Sequence, residues 1–146
     1  MTRYLLDTNI VSHFTKPRAP DRLADWMAEQ DDDDLFLSVQ TIGEIWHGLL
    51  IMPAGARRNT LQTWFSGHEG PQARFPGRIL AYSLEAATQW AELMAQGRAS
   101  GQTRSAIDMI IAATALVNDC VLVTDNERDF AGVVEVINPV RNAISY

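Results

Sequence analysis

Cysteine is almost absent from this chain. Cys120 is the only one in 146 residues, which excludes an internal disulfide and a thiolate zinc cage. A reducing cytoplasm is the expected compartment. Lysine is equally scarce, with Lys16 alone against eleven arginines. Chemistries that need a late catalytic lysine are disfavoured, whereas arginine suits bidentate phosphate contact. No apolar run approaches the roughly 18 residues of a membrane span, so no membrane association is expected. The N-terminus enters a strand-like run at once, without the charged and apolar regions of a signal peptide. No Gly-x-Ser-x-Gly elbow, Walker loop or Gly-x-Gly-x-x-Gly turn occurs. Basic charge is also short. The net charge is −6 and the pI near 4.9, which at first argues against a polyanionic partner. The distribution softens this, because residues 57–104 carry six arginines and three acids.

What remains is a globular composition, 47% hydrophobic and 21% charged, and a length that fits one domain over residues 1–146. The apolar pattern alternates strand and helix. Strands are expected at 3–6, 35–38, 78–82, 121–124 and 133–137. Helices are expected from about residue 9, then at 21–30, 39–52, 57–65, 84–96 and 104–118. Gly and Pro make 67–77 a loop and 97–101 a turn. The four aspartates at 31–34 read as a solvated turn, since they lack the spacing of a calcium loop. Short apolar strands separated by helices imply an α/β fold with a parallel sheet of four to five strands covered on both faces. Trp26, Trp46, Leu49, Trp64 and Phe65 give more apolar helix surface than a small domain needs, although core packing is their ordinary use.

Four acidic positions stand out. Asp7 ends the first strand, Glu44 lies inside an apolar helix, and Asp108 is followed by Met-Ile-Ile-Ala-Ala. Asp125 follows the run Val121–Thr124. Each has an ordinary reading: helix cap, partly exposed helix residue, first-turn acid and turn residue. Together they suggest more. In open α/β sheets ligands sit beyond the carboxyl ends of the strands, where the strand order reverses. Asp7 and Asp125 lie at such ends, and Asp108 and Glu44 lie within reach from helices that start there. Converging carboxylates are costly unless neutralised, and a hard divalent cation does this naturally. His47 makes a Glu-x-x-His pair with Glu44, but a di-iron bundle needs two such pairs, so a helix-surface role is expected.

The segments YLLDTNIVS, TIGEI, AIDMIIAATA and LVTDNERDF, in this order, resemble the PIN-domain ribonucleases, in particular the toxin half of VapBC-type toxin–antitoxin pairs. The resemblance implies a three-layer α/β/α domain and a metal-dependent endoribonuclease. Asp7, Glu44 and Asp108 take the family's first three acidic positions and would hold Mg²⁺ or Mn²⁺, with Glu44 either a ligand or a water-orienting base. The fourth position falls on Asn126 rather than an acid, and Asp125 or Asp129 would restore the charge. Arg57, Arg58, Arg74 or Arg78 would guide the RNA backbone. The partners implied are a VapB-type antitoxin with an Arg-bearing segment and a second copy of the chain. Two rival readings fit the residues less well. Aspartyl-phosphate chemistry, as in haloacid-dehalogenase-type phosphatases, wants an acid where Asn9 stands and a late lysine. A non-catalytic acidic binding module would bind no metal.

Overall fold

A computed structural model describes residues 1–16 and 18–141. Five strands form one parallel sheet: β1 (Arg3–Leu6), β2 (Leu35–Ser38), β3 (Ile79–Leu80), β4 (Cys120–Val123) and β5 (Val136–Ile137). Their order is β3-β2-β1-β4-β5. The chain builds outward from β1 to one edge, then crosses back and builds toward the other. The reversal therefore lies between β1 and β4, which pair from Arg3↔Cys120 to Leu6↔Val123.

Side chains alternate across the strands, as the period of two requires. Leu6, Leu35, Leu37 and Val123 face one apolar cluster. It is closed by α1 (Thr8–Ser12), α2 (Asp21–Glu29), α3 (Val39–Leu50), α4 (Ala56–Ser66) and the single turn α5 (Pro71–Arg74). Leu5, Phe36 and Leu122 face the second cluster, closed by α6 (Leu84–Ala99) and α7 (Ala106–Val117). The result is the expected helix–sheet–helix layering. Trp26, Leu49 and Phe65 are buried in the first cluster, and Trp46 and Trp64 pack against it while remaining partly exposed, so these residues serve core packing first. The large apolar residues left exposed include Leu50, Ile51, Leu84 and Ile107. Cys120 is buried beneath α7, and burial pushes its thiol up to about 11.

Several boundaries differ from the pattern-based expectation, each for a local reason. Helix α6 runs through Gly97 to Ala99. A side chain at Gly97 would press on the Arg104 stem, with a Cβ 2.7 Å from its Cδ. The helix stops only at Gly101, at φ +72. There Gln102 N–H donates to the Gly97 carbonyl and Gly101 N–H to that of Arg98, a Schellman ending. The loop at 67–77 contains α5, started by Pro71 at its first position. Strand β3 is shorter than expected and sits at the sheet edge. Strand β5 starts late because the chain first turns at Gly132, φ +75, with Val133 N–H donating to Phe130. On α6, Ala91 points outward while Ala86 and Leu93 are buried. Among the described residues no helix is long and apolar enough to cross a membrane.

Candidate metal centre

Serine caps set where the helices begin. Ser38 accepts from Thr41 N–H and Ser105 from Asp108 N–H, each a cap bonding the third helical residue. Ser38 is also the last residue of β2, so α3 starts at the carboxyl edge of the sheet. Asp7, directly after β1, caps α1 through Oδ1, which accepts from Thr8 N–H at 2.8 Å. The aspartate is thus both a cap and an inward-facing acid, only 5% exposed.

A hydroxyl and amide network fixes it. Thr124 Oγ1 donates to Asp7 Oδ2 at 2.8 Å. Asn9 Nδ2 reaches the same carboxylate oxygen at 3.4 Å and Thr124 Oγ1 at 3.2 Å, while Asn9 Oδ1 accepts from Asp125 N–H. Thr8 Oγ1 donates to Glu44 Oε1 at 3.0 Å and lies 3.1 Å from Thr41 Oγ1. Glu44 reaches this edge from within α3 because helical side chains lean toward the helix N-terminus.

The electrostatics tie the acids together. Burial holds the Asp7 carboxyl above its usual range, against the Thr124 and Thr8 hydrogen bonds. Burial also raises Glu44, and the charges of Asp7 and Asp108 raise it further, against the Thr8 bond. Asp108 is raised by burial, then by Asp7 and Asp129, against its Ser105 bond. Three acids from β1, α3 and α7 are therefore within mutual repulsion. They do not form a ready-made cage: among the described residues, no three Asp, Glu, His or Cys side chains are grouped closely enough to hold a metal ion.

At the fourth position, Asn126 Nδ2 donates to Asp129 at 2.6 Å, and its N–H donates to Thr124 Oγ1. Asp129 is the acid felt by Asp108, whereas Asp125 pairs with Arg141 at 3.1 Å. The charge beside Asn126 facing the site is therefore that of Asp129. The supporting roles of Thr8, Thr41, Thr124 and Ser105 emerge only in the fold. The Asp7-Thr8-Asn9 and Thr124–Asn126 segments held the signal, because hydroxyls and amides beside a buried acid are its ordinary partners. His47 is exposed on α3.

Two of the arginines expected to guide RNA are used otherwise. Arg78 donates to the carbonyls of Asp32, Leu35 and Arg74 and lies over Phe75. It precedes β3, on the amino edge of the sheet, opposite the acids. Arg74 lies over Phe14. Arg57 lines a concavity of about 250 Å³ that opens at Thr8 and Glu44.

A family model described as the PIN domain matches residues 4–135. The chain is 35% identical over 136 residues to the VapC ribonuclease Y4jK of Sinorhizobium fredii, covering 92% of this chain and 96% of that protein. It is 31% identical to Toxin FitB of Neisseria gonorrhoeae over the same shares. The structure of FitAB bound to an IR36 DNA fragment superposes with a TM-score of 0.86 at 28% identity, covering 98% of this chain and 99% of that one. The motif order, the layered sheet and these likenesses place the chain in the PIN-domain family.

Proposed function

We infer that this protein is a metal-dependent endoribonuclease acting as the toxin of a toxin–antitoxin pair. The observation that carries the reading is the arrival of Asp7, Glu44 and Asp108 at the β1/β4 switch point, each carboxyl raised and each repelling another. Hard carboxylate oxygens suit Mg²⁺ or Mn²⁺, and Mg²⁺ keeps several waters and so does not need a closed protein cage. Asp7, Glu44 and Asp108 would hold the ion, with Asn126 and Asp129 beside them. When bound, such an ion lowers the pKa of a water and stabilises charge on phosphoryl oxygens. The chain's own residues do the rest. Thr124, Thr8 and Asn9 fix Asp7 in one orientation. Thr8 holds Glu44, which would orient the attacking water. Asp129 sets the local negative charge that favours a cation.

The geometry disfavours aspartyl-phosphate chemistry. Both Asp7 oxygens are engaged in hydrogen bonds on a side chain 5% exposed, a poor arrangement for a nucleophile. Lys16 lines a different concavity, with His13 and Arg18. An acidic binding module would leave the mutual repulsion of the carboxylates unrelieved.

The naming of relatives as VapC ribonuclease and Toxin FitB, and the FitAB structure, support a cognate antitoxin bearing a basic segment for the acidic site. The exposed Leu50, Ile51 and Leu84 support self-association, read by light scattering. The deciding experiment incubates purified protein with total RNA and Mg²⁺, beside an Asp7→Ala control, and maps the cut ends. Discrete cuts lost in the control support the reading, and uncut RNA with active metal present rejects it.

A further inference from the structure

Seven of the eleven arginines are held by rings, acids, amides or carbonyls of the protein itself. Among the described residues, Arg57, Arg58, Arg98 and Arg128 have no side-chain hydrogen bond, ion pair or ring contact. Two of these four line concavities that reach the acids, one on each flank. The Arg57 concavity runs from Thr8 and Glu44 over Leu49, Met52 and Leu61 to Trp64. The Arg128 concavity, about 560 Å³, runs from Ser105 and Asp129 past Arg104. The first lies against α1, α3 and α4, the second against the start of α7 and the turn after β4, with Asp7 between them.

The two differ in chemistry. The first has an apolar floor and one cation. The second is polar, with Gln102, Thr103 and Ser105 beside two cations. Arg104 there is fixed in advance. Its Nη1 donates to the Leu93 carbonyl at 2.6 Å, and its stem lies against Gly97. A guanidinium has five N–H donors, so most of those on Arg104 remain for a ligand.

We propose that a single RNA strand crosses the acids between Arg57 and Arg128, its phosphates on either side of the cut held by these two cations and one base laid on the apolar floor beside Trp64. The proposal rests on the ribonuclease reading and names the path of its substrate. An acidic centre repels a phosphodiester, and flanking cations offset this while fixing register. A single strand fits because its bases are free to leave the stack, whereas a duplex hides them.

The test uses the full chain with Mn²⁺ and a fluorescent single-stranded oligoribonucleotide spanning a mapped cut site. Arg57→Gln and Arg128→Gln are each expected to raise KM roughly three- to tenfold with little change in kcat. Each should also make the fall of log(kcat/KM) with log salt shallower by about 0.7. Unchanged melting temperatures would show that folding is intact. Arg3→Gln removes the same charge at the amino end of β1, on the sheet edge opposite the acids, and is expected to change neither quantity. If the wild type cuts RNA while both variants match it in KM and salt slope, the path is overturned and the ribonuclease reading stands. If the wild type cuts no RNA, both fall. A variant that cuts like the wild type but no longer binds purified antitoxin makes its concavity a protein site and overturns the path.

Discussion

Thr124 is fully buried, and its hydroxyl serves three partners: it donates to Asp7 and accepts from Asn9 and from the Asn126 N–H. Thr124→Val keeps the shape and strands those groups, so a loss of about 2–3 kcal/mol is expected by chemical denaturation. The raised carboxyls set a pH dependence. Asp7, Glu44 and Asp108 bind protons more readily folded than unfolded. Stability then falls as pH rises from the ordinary carboxylate range through the elevated values. The metal-free protein is expected to melt higher on mild acidification, and Asp108→Asn should flatten that slope and raise the melting temperature near neutrality. A metal-free melting curve independent of pH through that window would contradict the repulsion. At this scale Asp7, Glu44 and Asp108 stand out in the sequence as acids beside apolar residues, and the structure sets them within reach of one another's charge. The choice between Asp125 and Asp129 was not legible in the chain. Both lie within five residues of Thr124, and only the 3₁₀ turn at Glu127–Phe130 decides which faces Asp108.

Among the elements, the approach of α4 to α5 depends on a missing side chain. A Cβ on Gly70 would lie 2.3 Å from the Phe65 carbonyl oxygen and 2.4 Å from that of Trp64. These are backbone atoms and cannot swing away. Gly70→Ala is expected to cost about 1–3 kcal/mol or more, read as a lower denaturation midpoint, and to loosen the wall that carries Trp64. The long periodic helices were legible for a plain reason: α3 and α7 repeat apolar residues against one cluster each. The ends were less so. Gly97 looked like a stop in sequence, since nothing local shows that Arg104 will fold back over it. Edge strands β3 and β5 are shorter than the apolar runs that mark them in the sequence, because apolar residues continue past the point where a neighbouring strand is present to pair with them.

For the molecule as a whole, the proposed action of an acidic chain of net charge −6 on a polyanion would require its local field to be inverted. Mn²⁺ at about 100 times its dissociation constant is expected to stabilise the wild type by about 2.7 kcal/mol, seen as a thermal shift that Asp108→Asn loses. No shift at saturating metal would favour the binding-module alternative. The layered fold was readable from the alternation of strand and helix, whereas the strand order was not, since periodicity does not say which neighbour a strand will choose. That order has a temporal consequence. Asp7 is synthesised 117 residues before Thr124, which bonds its carboxylate, and so well before the neighbour strand β4, which supplies Val123 O to the Asp7 N–H. Asp129 emerges later still. The centre therefore stays unassembled until β4 and Asp129 have both been made, and a chain still short of them carries no complete set of acids.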